Sequence, residues 1–78
     1  MQSLTQDRTR LIDVSNVDVY IAQENKHIFN ICIYNFNHSV VLGTYTTEEQ
    51  AKRVLNFMVV WLGDNGYYKM PEIDNKTE

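Results

Sequence analysis

Val40-Val41-Leu42-Gly43-Thr44-Tyr45-Thr46-Thr47-Glu48-Glu49-Gln50-Ala51-Lys52-Arg53-Val54-Leu55-Asn56-Phe57-Met58-Val59-Val60-Trp61-Leu62 passes from an apolar extended run into a helical repeat with no spare residues between. Thr46 stands three residues before Glu49 and Thr47 three before Gln50, so either register supplies a capping box for the first unpaired helix amides. Glu48 and Glu49 sit well at the positive end of the helix dipole, and Gly63 is a candidate for the left-handed residue that closes the last turn. A helix over about 47–62 follows.

The chain upstream reads as strands. Leu11 to Val14 is a short apolar-bearing segment, and Val17-Asp18-Val19-Tyr20-Ile21 alternates strictly, as a half-buried strand does. Gln23-Glu24-Asn25-Lys26 is a polar interruption of hairpin length. From His27 to Phe36 both faces carry apolar residues, with Phe29, Ile31 and Ile33 on one and Ile28, Cys32, Tyr34 and Phe36 on the other, which marks a central strand. Asn37-His38-Ser39 turns the chain into Val40-Val41-Leu42, and Gly43 marks either a bulge or a close approach of helix and sheet.

The fold expected is α+β: an antiparallel meander of three to four strands packed against one helix in the C-terminal half. Asp64-Asn65-Gly66 is a turn signal, after which Tyr67-Tyr68-Lys69-Met70 forms a short terminal strand or covers an edge until Pro71 stops it. Residues 1–71 make one small domain, and residues 72–78 a polar, frayed tail.

At 78 residues a single core supplies only about 3–5 kcal/mol of stability, so a further source of stabilisation is expected. The lone Cys32 excludes an internal disulfide and offers no thiolate cluster for zinc. Oligomerisation remains, with a homodimer the commonest form. Ten acidic against seven basic residues give a net charge of −3, which repels a phosphate backbone and disfavours nucleic acid. The N-terminus lacks the regions of a signal peptide, and the longest apolar run, Phe57 to Leu62, is too short to span a bilayer. A soluble cytoplasmic protein, away from membranes, is the expectation.

No constellation for chemistry stands out. His27 and His38 lie at opposite ends of the central strand, about 35 Å apart if fully extended, so they cannot share a metal. Cys32 reads as a buried small hydrophobe, and the serines lack a nucleophile-elbow context. The aspartates form no carboxylate pair by spacing, and the three glycines include no phosphate-cradling sequence. A non-enzymatic protein without a cofactor is expected.

The helix is the exception to this plainness. At about 100° per residue, Ala51, Val54, Leu55, Met58 and Leu62 form the stripe that faces the sheet. Phe57 and Trp61 fall on one flank, Val59 on the other and Val60 almost opposite. One small sheet cannot bury all of this, so either the Tyr67-Tyr68 segment and loops wrap over it or it is an interface, with Phe57, Val60 and Trp61 as anchors and Asp64 on the rim. A second candidate site places Arg8 and Arg10 against an anion, with Tyr67 or Tyr68 stacking on a nucleotide base. Its bland reading is solvated arginines paired with Asp7 or Asp13, and tyrosines that cover the sheet.

Thr5-Gln6-Asp7-Arg8-Thr9-Arg10-Leu11 resembles the "S/T-Q-D-K/R-x-x-L" opening of small uncharacterised proteins of Gram-positive bacteria and their phages. Leu42-Gly43-Thr44-Tyr45-Thr46-Thr47-Glu48-Glu49-Gln50-Ala51-Lys52-Arg53-Val54-Leu55 is similar to their "LG-x-Y-x-(S/T)-x-E-x-A-x-x-VL" segment, and Tyr67-Tyr68-Lys69-Met70-Pro71-Glu72 to their "Y-x-MP-E" ending. The chain departs from them at Ser3 and Leu4, where an aromatic residue is common, and at Phe57 to Leu62, where their helix turns polar. By class-level analogy the resemblance implies a phage or mobile-element protein that inhibits a host or defence protein, or an oligomeric sponge for a nucleotide signal.

Overall fold

The computed structural model describes residues 1–35 and 37–72. Phe36, assigned above to the second face of the central strand, and residues 73–78 of the expected tail lie outside the described residues. The architecture is α+β, with antiparallel strands packed against one helix in the C-terminal half. Among the described residues six strands and one helix follow in chain order: β1 (Gln2–Leu4), β2 (Leu11–Asp13), β3 (Asp18–Asn25), β4 (Ile28–Asn35), β5 (His38–Tyr45), α1 (Glu48–Asn65) and β6 (Tyr67–Lys69).

The expected meander is the three-stranded sheet β3-β4-β5, with β4 central. Phe29, Ile31 and Ile33 are buried on the core face of β4, while Val17, Val19 and Ile21 of the neighbouring segment pack half-buried beside them. The polar run Gln23–Lys26 is not all loop: β3 extends to Asn25, with a register shift between Gln23 and Asn25 that lets it twist away from β4. His27 belongs to the turn, its N–H held by Asn25 Oδ1 at 2.8 Å.

A bulge in β5 decides what reaches the core. Ile31 pairs with Gly43 and Cys32 with Val41, so Leu42 is the extra residue. Side chains of a regular strand alternate, and even-numbered Val40 and Leu42 would then face the core while Tyr45 faced outward. The extra residue flips that parity. Leu42 and Tyr45 are both 1 % exposed, and Val41 is left outside. Of the two readings of Gly43, the bulge is the one formed, and the close approach is to Tyr45 rather than to the helix. A Cβ on Gly43 would lie 2.9 Å from the Tyr45 hydroxyl oxygen.

Helix α1 starts where the capping pattern places it. Thr47, in extended conformation, accepts the Gln50 N–H at 3.1 Å, and Gln50 Oε1 reaches back to the Thr46 N–H at 3.3 Å. It ends later than expected. Gly63 is helical, and Gly66, at φ 70°, is the left-handed residue whose N–H closes on the Leu62 carbonyl at 3.0 Å.

A second sheet was not foreseen. Its order is β2-β1-β6, antiparallel between β1 and β2 and parallel between β1 and β6. Ser3 sits opposite both Ile12 and Tyr68, all three buried, so a small residue lies between two large ones on the core face. Ile12, Val14, Tyr68 and Met70 join Ile31, Ile33, Leu42, Tyr45, Ala51, Val54 and Met58 in one core. The terminal strand suggested by Tyr67-Tyr68-Lys69 is therefore a sheet member that ties the end of the chain to its beginning.

Candidate functional site

Three distant segments, residues 5–8, 43–45 and 70–71, meet in one hydrogen-bonded clasp. Gln6 uses its side-chain amide like a strand residue on the open edge of β5: Oε1 accepts the Thr44 N–H at 2.8 Å, and Nε2 donates to the Thr44 carbonyl at 3.0 Å and to the Pro71 carbonyl at 3.1 Å. Arg8 Nη1 donates to the Met70 carbonyl at 2.6 Å and the Thr5 carbonyl at 3.5 Å. The Tyr45 hydroxyl donates to the Pro71 carbonyl at 2.8 Å. Gly43 keeps the path of that ring open. These side chains join residues 5–8 and 70–71 to β5.

Asp7 is the hub of the first segment. The Thr9 and Thr5 hydroxyls each donate to its Oδ1 at 2.7 Å and the Thr9 N–H at 3.0 Å. These donors, the Thr9 hydroxyl first, hold its carboxyl down at about 2. A lowered carboxyl favours the fold fully above its ordinary value of 3.8 and loses that contribution as pH falls through about 2. Asp7→Asn is expected to melt below the parent at neutral pH, with the gap closing between about pH 4 and pH 2. Thermal melts of both proteins across that range check this, and parallel curves down to pH 2 would refute it. Asp13, lowered by Ser15, keeps its own acid dependence in both.

Arg10 and the tyrosines of the second candidate site are not gathered together. Arg10 lines a cavity of about 510 Å³ with Thr5, Gln6, Thr9 and the outer side of β5. Tyr67 and Tyr68 line a different groove of about 430 Å³. Arg8 is spent on backbone carbonyls rather than on Asp7 or Asp13, and Tyr68 is buried with its hydroxyl pushed upward by desolvation. Cys32 is a buried free thiol, pushed up by the same cause, which opposes formation of a nucleophilic thiolate. Among the described residues there is no group of three or more His, Cys, Asp and Glu placed to hold a metal.

The helix surface stands uncovered. Phe57 is 59 % exposed, Val60 62 %, Trp61 52 % and Val59 66 %, so the Tyr67-Tyr68 segment does not wrap over them. It makes a wall instead: Phe57 and Trp61 on one side and Tyr67, Tyr68 and Lys69 on the other form the 430 Å³ groove. Sequence spacing alone identifies this flank of the helix, but β6 beside it depends on the unforeseen pairing with β1.

Two further features bear on the surface. From Val54 to Gly63 the helix carries no charged residue, and the exposed Gly63 has nothing within 4 Å of where a Cβ would stand. A helical glycine costs about 1 kcal/mol against alanine, and no packing among the described residues requires it here.

No protein-family profile, curated protein or solved structure matches the chain. No helix among the described residues is long and apolar enough to cross a membrane.

Proposed function

We propose that this chain is a non-enzymatic binding protein of a phage or other mobile element, which self-associates and inhibits a host or defence protein by occupying one of its surfaces. The observation that carries the reading is the uncovered aromatic and aliphatic face of α1, with Phe57, Val60 and Trp61 more than half exposed. Leaving such a cluster half in water forgoes roughly 1–2 kcal/mol for each large side chain, a burial that a partner supplies. Trp and Phe are among the residues enriched in interface cores.

The rim is acidic. Glu48 and Glu49 open the helix and Asp64 lies near its end, so a basic partner surface suits the assembly, in line with the net charge of −3. The alternative, a sponge for a nucleotide signal, draws less support because Arg10 and the tyrosines offered for it line separate cavities and Arg8 is engaged by backbone carbonyls. The phage setting rests on the resemblance of the three segments and not on the surface.

Solution mass against concentration, together with capture from lysates of several bacterial hosts by the tagged protein and its Trp61→Asp variant, tests the proposal. A mass that rises with concentration and one host protein retained by the parent but lost by the variant are expected. A monomer at every concentration with no host protein retained would overturn it.

A further inference from the structure

Phe57, Val60, Trp61 and Asp64 follow one another at the i, i+3, i+4, i+7 spacing of a single helix stripe, and Arg53, four residues before Phe57, lies on the same stripe. The stripe thus has a cation at one end, three large apolar residues in the middle and an anion at the other end. Neither charge is used among the described residues. Among the described residues the ion pair formed on α1 is Lys52 with Glu48 at 3.8 Å, and Arg53 and Asp64 have no side-chain partner. Asp64 is also poorly placed for its own helix. It stands in the last turn, where no basic residue is present, so its carboxylate faces the negative end of the dipole.

We infer that, in the absence of a host partner, the occupant of this stripe is a second copy of the chain, packed antiparallel across a two-fold axis at the level of Met58 and Val59. This rests on the self-association proposed above and gives it a register. Residue numbers that sum to 117 then lie level: Arg53 meets the partner's Asp64, Phe57 meets the partner's Val60, and Trp61 meets the partner's Asn56. The stripe is self-complementary only in the antiparallel sense. A parallel pair would set Arg53 beside Arg53 and Asp64 beside Asp64, and would align the two helix dipoles unfavourably.

The area suffices. With ~150–250 Å² for a whole aromatic side chain, the exposed parts of Phe57, Val60, Trp61 and Tyr67 amount to roughly 400–500 Å² per copy. Two copies approach the ~1,000 Å² that a specific interface needs, before Arg53, Asn56 and Asp64 are added.

The register is tested by charge reversal, with association constants from sedimentation. Arg53→Asp places two Asp–Asp contacts in the homodimer and Asp64→Arg two Arg–Arg contacts, so each variant alone is expected to self-associate at least about 10-fold more weakly than the parent. Mixed in equal amounts they regain opposite charges at both ends, and a heterodimer of near-parent affinity is expected. The double variant, Arg53→Asp with Asp64→Arg, is likewise expected to dimerise alone. If the parent dimerises but the mixture binds no better than either variant alone, the register is overturned while self-association stands. A parent that stays monomeric to millimolar concentration overturns both. Circular dichroism of each variant separates weak association from failure to fold.

Discussion

A chain carrying Tyr45→Ala is expected to be largely unfolded at 25 °C, while Tyr45→Phe folds with a loss of only about 1 kcal/mol. Tyr45 is 1 % exposed, and its ring reaches the core because the Leu42 bulge reverses the parity of β5. Truncating a buried aromatic costs about 3–5 kcal/mol through lost burial and the cavity left behind. That equals the roughly 3–5 kcal/mol that a core of this size supplies. The hydroxyl is a smaller matter, since the Pro71 carbonyl it bonds keeps a second donor in Gln6 Nε2 at 3.1 Å and is not orphaned. Far-UV circular dichroism and urea titration distinguish the two variants. A folded Tyr45→Ala protein that has lost less than about 1 kcal/mol would remove the ring from its central role.

How much of this was legible depended on whether a feature is local. The Thr47 cap, the alternation of Val17 to Ile21 and the two apolar faces of β4 are set by near neighbours, and each is visible as a spacing. The clasp is not. Gln6 meets Thr44 and Pro71, and Arg8 meets Met70, across 38 to 65 positions of chain, and no local pattern announces that a glutamine will stand in for a strand. β1 was missed for a similar reason: three residues, Gln2-Ser3-Leu4, carry no alternation, and their pairing is with β6 at the far end of the chain. Gly63 misled through propensity, because a glycine near the end of an amphipathic run is usually the cap. The φ of 70° at Gly66 shows the cap one turn later.

The candidate surface was readable for the opposite reason. Phe57, Val60 and Trp61 are within one helix, so their angles follow from the sequence once the helix is granted. What the sequence left open was coverage, which depends on where Tyr67 and Tyr68 go. The parallel pairing of β6 to β1 fixes them beside Phe57 and Trp61 as the wall of a groove and leaves the face exposed.

Val60→Asp is expected to abolish self-association, weakening it more than 100-fold, while leaving a folded monomer that melts within several degrees of the parent. Val60 is 62 % exposed and almost opposite the stripe that faces the sheet. In the monomer the substitution exchanges one indifferent helix former for another and adds a carboxylate toward the negative end of the dipole, together about 1 kcal/mol or less. For a domain of this size that is ~4–8 °C. In the proposed pair the two-fold axis would double the change and bury both carboxylates against Phe57 of the partner subunit without a cation, at several kcal/mol for each. The control is two positions away. Met58→Asp, at a side chain 1 % exposed in the core, is expected to unfold the chain, so a folded monomer from Val60→Asp reports on the surface and not on the fold. Sedimentation velocity and thermal melts of the parent and both variants check this. A parent dimer whose mass Val60→Asp leaves unchanged would exclude this face of α1 from the interface.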